Sequence, residues 1–406
     1  MKLEMRVLSF CHYLQGPAAT QYLADMGADV IKIERLDGAF ERTWSGGKSS
    51  VGGVSAFLLC ANRNKRSLAI DLKHPDAVAV MDRLIDGADV IVENFRPGVL
   101  ERLGLGYAAV KAKKPDIIYA SATGLGADGP DAHRPGQDLL MQARSGLVAA
   151  TGSSEAGPTI TGAAIVDQHG AALLAMGILG AYVRKLQTGE GARVEASLLQ
   201  AGIDLQSEAL AMYFARADKA DDPMPRGTNV GSWYHDAPYG CYRLNGCHIV
   251  LSMNDPVKLA AALDSDELRA LVRIDRYAER ERYAAAVAAE LADLGFEEVA
   301  ACFERHGIWF ERVQSYEDLA HDRQLRHLGV FTQTEVNGET ARLVSHPLRY
   351  DGGAPELRSM PLEIGGCTRQ ILAECGYSSA EIDGLVAARV VGVPAADGTS
   401  KVGDSP

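Results

Sequence analysis

Residues 6–34 read RVLSFCHYLQGPAATQYLADMGADVIKIE, and this stretch decides the fold. RVLSF (6–10) is a short apolar run and PAATQYLADMGA (17–28) follows a helical pattern. DVIKIE (29–34) is again short, apolar and β-branched. A strand, a helix and a second strand in so short a span form a β-α-β unit, whose two strands must lie parallel.

The same alternation extends outward. SLAIDL (67–72), DVIVEN (89–94), DIIYASAT (116–123) and ARVEASL (192–198) read as strands, with PDAVAVMDRLIDGA (75–88) as a helix among them. Pro17 and Pro75 stand where a first helical turn tolerates proline, and Gly27 and Gly87 follow the helices they end. The expected class is α/β, a Rossmann-like large domain with a parallel sheet.

From about residue 222 the character changes. PYGCYRLNGCHIVLS (238–252) is a hairpin turning at Asn245-Gly246, where positive φ at both central residues suits those two types. Helical runs follow at VKLAAALDS (257–265), ERYAAAVAAELADLG (281–295) and FEEVAACFERHG (296–307). A second hairpin, FTQTEVNGETARLVSHPLRY (331–350), and a helix in YSSAEIDGLVAARVV (377–391) return the chain to the large domain. The expected organisation is a discontinuous large domain of 1–205 and 331–393, a linker over 206–221 and a small α+β domain over 222–330. The tail 394–406 lacks apolar periodicity and is expected to be disordered.

Composition narrows the function. The chain has 406 residues, 47% hydrophobic and 23% charged, enough for more than one core. A formal net charge of −12 argues against a general nucleic-acid binder but leaves room for a local basic pocket. The cysteines at 11, 60, 241, 247, 302, 367 and 375 form no CxxC pair, so neither a disulfide frame nor a metal site is expected. The N-terminus does not read as a secretory leader. The apolar run Gly170–Val183 falls short of the roughly 18 residues a membrane helix requires. A soluble, cytoplasmic protein without a membrane or nucleic-acid partner is expected.

Three features carry candidate chemistry. GLGADG (124–129) matches G-x-G-x-x-G after a strand, yet PDAHRPGQD follows it and cannot open the helix a dinucleotide site requires. Those glycines are expected to shape a loop that approaches a ligand or another backbone closely. Next, cations and an aromatic gather near strand ends: Arg35; Arg63, Lys65, Arg66 and Lys73; Asn94, Phe95, Arg96 and Arg102. Ligands of open α/β sheets bind beyond the carboxyl ends of strands, where this set suits phosphates and a stacking base.

The third feature is Asp167, at the start of the small-surfaced apolar stretch IVDQHGAALLAMGILGAYV (165–183). As an N-cap it would accept backbone N–H bonds and stay ionised at the positive end of the helix. As a carboxylate in a dry setting it would be a nucleophile or base. Pattern alone leaves both open.

Taken together, GPAATQYLADMGADVIKIE, NKRSLAIDLK, DVIVENFRPGVLERLGLGY, GADGP…RPGQDLLMQARSGL and GAAIVDQHGAALLAMGILGAYVRKLQTGEGARVEASLLQA resemble the class III coenzyme A transferases, the family of the formyl-CoA and carnitine enzymes. The resemblance is dense over about residues 5–210. It implies Asp167 as the catalytic aspartate, with Tyr13, Leu14, Gln15, Gln137 and Asp138 around the substrate. It further implies Arg35, Ile70, Lys73, Asn94, Phe95, Arg102 and Leu198 around the CoA. The implied assembly is an interlocked, ring-like homodimer, with no permanently bound cofactor and CoA entering only as a thioester substrate and leaving as one.

The implied reaction moves CoA from an acyl-CoA to a carboxylic acid, within or between molecules, through an aspartyl anhydride and an aspartyl-CoA thioester. Glycine-rich backbone and the helix start at Asp167 are the expected oxyanion donors. This chain departs from the formyl-CoA branch in having Leu14 where that branch has glutamine, with Gln15 one residue later, and in lacking a tetraglycine loop where SWYHDAPYGCY (232–242) stands. Small dicarboxylates are the expected substrates, their specificity set around Tyr13, Gln15, Gln137 and Trp233–Tyr239. An α-methylacyl-CoA racemase would need a histidine where Gln137 stands, and a non-catalytic CoA-binding protein would have no need of Asp167.

Overall fold

The structure is a computed structural model, and it describes residues 2–216 and 224–394. Residues 217–221 of the expected linker, and the expected tail from 395 onward, lie outside the described residues. The chain divides into two compact units: 1–141 with 164–201 and 323–406, and 142–163 with 202–322.

The first unit is built on strands β1 (Arg6–Phe10), β2 (Asp29–Glu34), β3 (Lys65–Ile70), β4 (Val90–Glu93), β5 (Ile118–Thr123) and β6 (Ala192–Ser197). All six pair in parallel, in the order β3-β2-β1-β4-β5-β6, and the short strand Val391–Gly392 adds antiparallel to β3. This is the doubly wound 3-2-1-4-5-6 order, and its direction reverses at β1 and β4. Helices α1 (Gln15–Asp25), α2 (Ala77–Asp86) and α3 (Ile165–Thr188) cover the faces.

Alternation along the strands divides the core. Val7, Val30, Val90 and Ile118 join Leu23 of α1 and Leu174 and Ile178 of α3, whereas Leu8, Ile31, Ile91 and Tyr119 join Val80 and Leu84 of α2. Both faces are apolar, as a buried parallel sheet demands. Among the described residues no helix is long and apolar enough to cross a membrane.

The second unit contains a three-stranded antiparallel sheet of Gly240–Arg243, His248–Leu251 and Phe310–Arg312, packed on Leu259, Tyr283, Val287 and Phe303. Both expected hairpins form. The Asn337-Gly338 turn has positive φ at both residues, whereas at Asn245-Gly246 only Gly246 does, and the Asn245 N–H donates to the Leu294 carbonyl.

Three expectations need correcting. Residues 142–163 group with the second unit, where Ser154 N–H meets the Gly227 carbonyl and the Gln206 amide meets the Ser145 carbonyl. Residues 207–215 of the expected linker form a helix. Pro75 stands two residues ahead of α2 instead of in its first turn.

Arg63, Lys65 and Arg66 precede or open β3, away from its carboxyl end, and all are engaged internally. The Arg63 guanidinium forks onto the Asp25 carboxylate with its closest contact at 2.7 Å, both side chains being buried. Lys65 Nζ donates to the carbonyls of Pro17 and Ala61 and to Asn62 Oδ1, and burial holds its pKa well below the ordinary lysine value. Arg66 pairs with Asp29 and Glu374.

Removing one partner of a buried pair leaves the other charge uncompensated, which costs roughly 3–5 kcal/mol. Asp25→Ala is therefore expected to lose about that much in urea unfolding. Glu4→Ala, whose exposed partner is Lys2, should change stability by less than about 1 kcal/mol.

Candidate active site

The loops that follow β1 and β4 leave the carboxyl edge of the sheet at the point where strand order reverses. Asn94 fastens one to the other: its Oδ1 accepts from His12 N–H at 3.0 Å and its Nδ2 donates to the His12 carbonyl at 2.6 Å. Phe95 meets the His12 ring edge-on at 4.5 Å.

With His12 fixed, the chain turns sharply into α1 through Tyr13, which takes φ 63°, a left-handed conformation rare outside glycine. Its half-exposed ring lies 5.0 Å from Phe40, which in turn stacks on Trp44.

Leu14 caps α1 and Gln15 is its first residue, both buried. Gln15 is held against α3. A Cβ built on Gly170 would lie 2.7 Å from Gln15 Nε2, so a larger residue there would push the amide aside. Among the described residues no acceptor reaches that nitrogen.

A second close approach delivers Asp138. A Cβ on Gly124, at the end of β5, would come within 2.5 Å of Gly136 Cα, so two glycines bring backbone against backbone as expected for this loop. Asp138 follows two residues later. Its Oδ1 accepts from the backbone N–H of Val166 at 2.8 Å and of Asp167 at 3.0 Å.

Asp167 is therefore not the cap. The N-cap position of α3 is Ala164, which has no side-chain oxygen, and Asp138 supplies the missing acceptor from a distant part of the sequence. Asp167 is the third helical residue, and among the described residues none donates a hydrogen bond to its carboxylate. Burial first, and the negative charge of Asp138 second, raise the Asp167 carboxyl from 3.8 to about 7. The helix start was expected to keep it ionised, but desolvation and the neighbouring carboxylate outweigh that pull. Of the helix-start N–H groups expected as oxyanion donors, those of Val166 and Asp167 are taken by Asp138.

The structure thus gathers Tyr13, Leu14, Gln15, Asn94 and Phe95 at the switch point, and Asp138 with Asp167 at the head of α3. Asn94 differs from expectation in using both polar atoms on His12. Ile70 is wholly in the core, so its side chain has no free face to present. Arg35, Lys73 and Arg102 are exposed beyond the carboxyl ends of β2, β3 and β4, Arg35 pairing with Asp37 at 2.7 Å. Gln137 is exposed and Leu198 is buried at the start of the helix after β6. In the second unit, Tyr234, His235 and Asp236 of the expected specificity segment line a cleft of about 400 Å³ with Met253, Asn254 and Arg276. Phe40 and Trp44 went unselected in the sequence, although two aromatics in the polar stretch after β2 were a signal for surface stacking.

Over residues 3–365 the chain matches the family described as CoA-transferase family III. The succinyl-CoA:glutarate CoA-transferase of Mus musculus is 31% identical over 398 residues, covering 95% of this chain and 89% of that protein. The succinyl-CoA:mesaconate CoA-transferase of Haloarcula hispanica is 33% identical over 258 residues, 61% of this chain and 63% of that protein. A crystal structure of a CAIB/BAIF family protein from Brucella suis superposes with a TM-score of 0.78 at 25% identity, covering 91% of this chain and 98% of that one.

The raised Asp167 carboxyl gives stability a pH signature. The unfolded chain releases this proton near 3.8 and the folded protein near 7, so folding retains a proton between those values and stability falls as pH rises across the window. Asp167→Asn removes the disfavoured charge. Its Tm is expected to exceed that of the wild type at pH 8, with the gap closing toward pH 4; a gap independent of pH in calorimetry would contradict the assignment.

Proposed function

From the premise that this chain belongs to CoA-transferase family III, we propose that it carries CoA from an acyl-CoA to a short dicarboxylate, with Asp167 as covalent nucleophile. The observation that carries the proposal is the half-buried Asp167 carboxyl, raised by desolvation to about 7 beside the capping carboxylate of Asp138.

The steps follow from that group. An Asp167 oxygen attacks the thioester carbonyl carbon, the C–S bond breaks, and CoA leaves as thiolate, giving a mixed anhydride. The thiolate then attacks the aspartyl carbonyl of the anhydride, expelling the donor acid and forming an aspartyl-CoA thioester. The acceptor carboxylate attacks that thioester and the thiolate departs a second time. It finally attacks the acceptor's carbonyl, forming the new acyl-CoA and restoring the Asp167 carboxylate.

A carboxylate of raised pKa is the stronger nucleophile toward the thioester. The same reasoning covers transfer between the two carboxyl groups of a single diacid.

Exposed Arg35, Lys73 and Arg102 at the carboxyl edge supply charge for the CoA phosphates, and Phe95 supplies a ring for its base. The choice of dicarboxylates rests on the named activities of the glutarate and mesaconate relatives. A homodimer belongs to the same proposal: Met176, Val183 and Leu186 present exposed apolar surface on α3 that a second copy would cover. Racemisation has nothing in its favour here, because exposed Gln137 cannot abstract a proton.

Incubation with succinyl-CoA and a panel of glutarate, mesaconate, malate and oxalate, followed by chromatography of the thioesters, tests the proposal. At least one new dicarboxylyl-CoA is expected. Asp167→Ala should lower turnover by at least about 10³-fold while still binding CoA. The wild-type kcat/KM should rise with pH and level off above about 7, as the Asp167 carboxyl ionises. Undiminished turnover in Asp167→Ala would refute the nucleophile assignment.

A further inference from the structure

Gln15 is 4% exposed, and its amide nitrogen has no hydrogen-bond partner among the described residues. Natural proteins rarely leave a buried donor unpaired, so such a group calls for an explanation in function.

Its position supplies one. Gly170, against which Gln15 Nε2 packs, lies three residues after Asp167, and residues at that spacing share one face of a helix. The amide therefore lies about one helical turn along α3 from Asp167. The backbone N–H groups of Val166 and Asp167 are already bonded to Asp138 Oδ1. Every tetrahedral step of CoA transfer puts negative charge on an oxygen beside Asp167, and that oxygen requires a donor fixed in advance.

We propose that the Gln15 side-chain amide is that donor, a catalytic residue that stabilises the oxyanion formed when Asp167 reacts. The proposal rests on the nucleophile reading of Asp167. As the Asp167 oxygen bonds to the thioester carbon, the carbonyl π pair moves onto oxygen and Gln15 Nε2–H donates to it. When the C–S bond breaks the pair returns, the C=O re-forms and the thiolate leaves. No proton is transferred from the amide.

The loop geometry serves this role. The Asn94 clamp on His12 and the left-handed turn at Tyr13 place the first residue of α1, and glycine at 170 leaves room for an amide that a larger residue would displace. A donor left without a partner in the resting protein is available to the oxygen on which charge develops.

Gln15→Leu tests the idea, because it keeps the bulk and deletes the donor. Thermal unfolding and steady-state CoA transfer are measured on wild type, Gln15→Leu, Gln15→Glu and Asp167→Ala. The expected result is a Gln15→Leu Tm equal to or above wild type, with kcat lower by about 10²–10³-fold and KM changed far less. A purely structural role would lower Tm and leave kcat of the folded fraction intact.

Folded Gln15→Leu turning over within threefold of wild type would overturn the proposal. Should Gln15→Leu not fold, Gln15→Glu gives the same reading at pH 8: a comparable loss supports the donor role and activity within threefold overturns it. If wild-type transfer does not depend on Asp167, the nucleophile reading falls and this proposal falls with it. If transfer depends on Asp167 but not on Gln15, this proposal alone falls.

Discussion

One carboxylate caps a helix so that another can be left bare. Asp138 accepts the N–H groups of Val166 and Asp167 at the head of α3, and among the described residues none donates to the oxygens of Asp167. In most proteins the acidic residue of a first helical turn is a stabilising device. Here burial and a neighbouring negative charge turn it into a carboxyl that ionises only near neutrality. The arrangement is costly to the fold and useful to the chemistry, as reactive groups at functional sites commonly are.

The surrounding architecture serves that placement. Parallel strands deliver their connecting loops to one edge, and reversal of strand order at β1 and β4 opens a crevice there. Asn94 ties the two loops, Tyr13 makes the turn, and α1 begins against the glycine face of α3. From β5, the contact of Gly124 with Gly136 brings Asp138 to the same helix head. The site is thus assembled from the ends of β1, β4 and β5 and the beginnings of α1 and α3.

Much of this was legible in the sequence because it is local. Strand and helix periodicities named every strand of the parallel sheet except the edge strand Val391–Gly392, two residues being too short for a pattern. Asp167 was visible as a carboxylate opening an apolar helix, but its state was not, since it depends on Asp138, 29 residues away in sequence. Arg63, Lys65 and Arg66 looked like ligand-binding cations in a linear reading. Their partners Asp25, Asn62 and Asp29 are set by the packing of α1, the preceding turn and the neighbouring strand, which composition does not reveal. Residues 142–163 sit within the alternating half of the chain yet pack with the second unit, because membership of a core is decided by long-range contacts. Asn94 was selected for its chemistry and found to spend it on a backbone.

The account stands or falls on covalent chemistry at Asp167. The most direct test is peptide mass spectrometry of the protein incubated with succinyl-CoA and quenched with hydroxylamine, with Asp167→Ala alongside. Conversion of Asp167 to its hydroxamate, confined to the wild type, is the predicted result. An unmodified Asp167 peptide in protein that is actively exchanging CoA would contradict it.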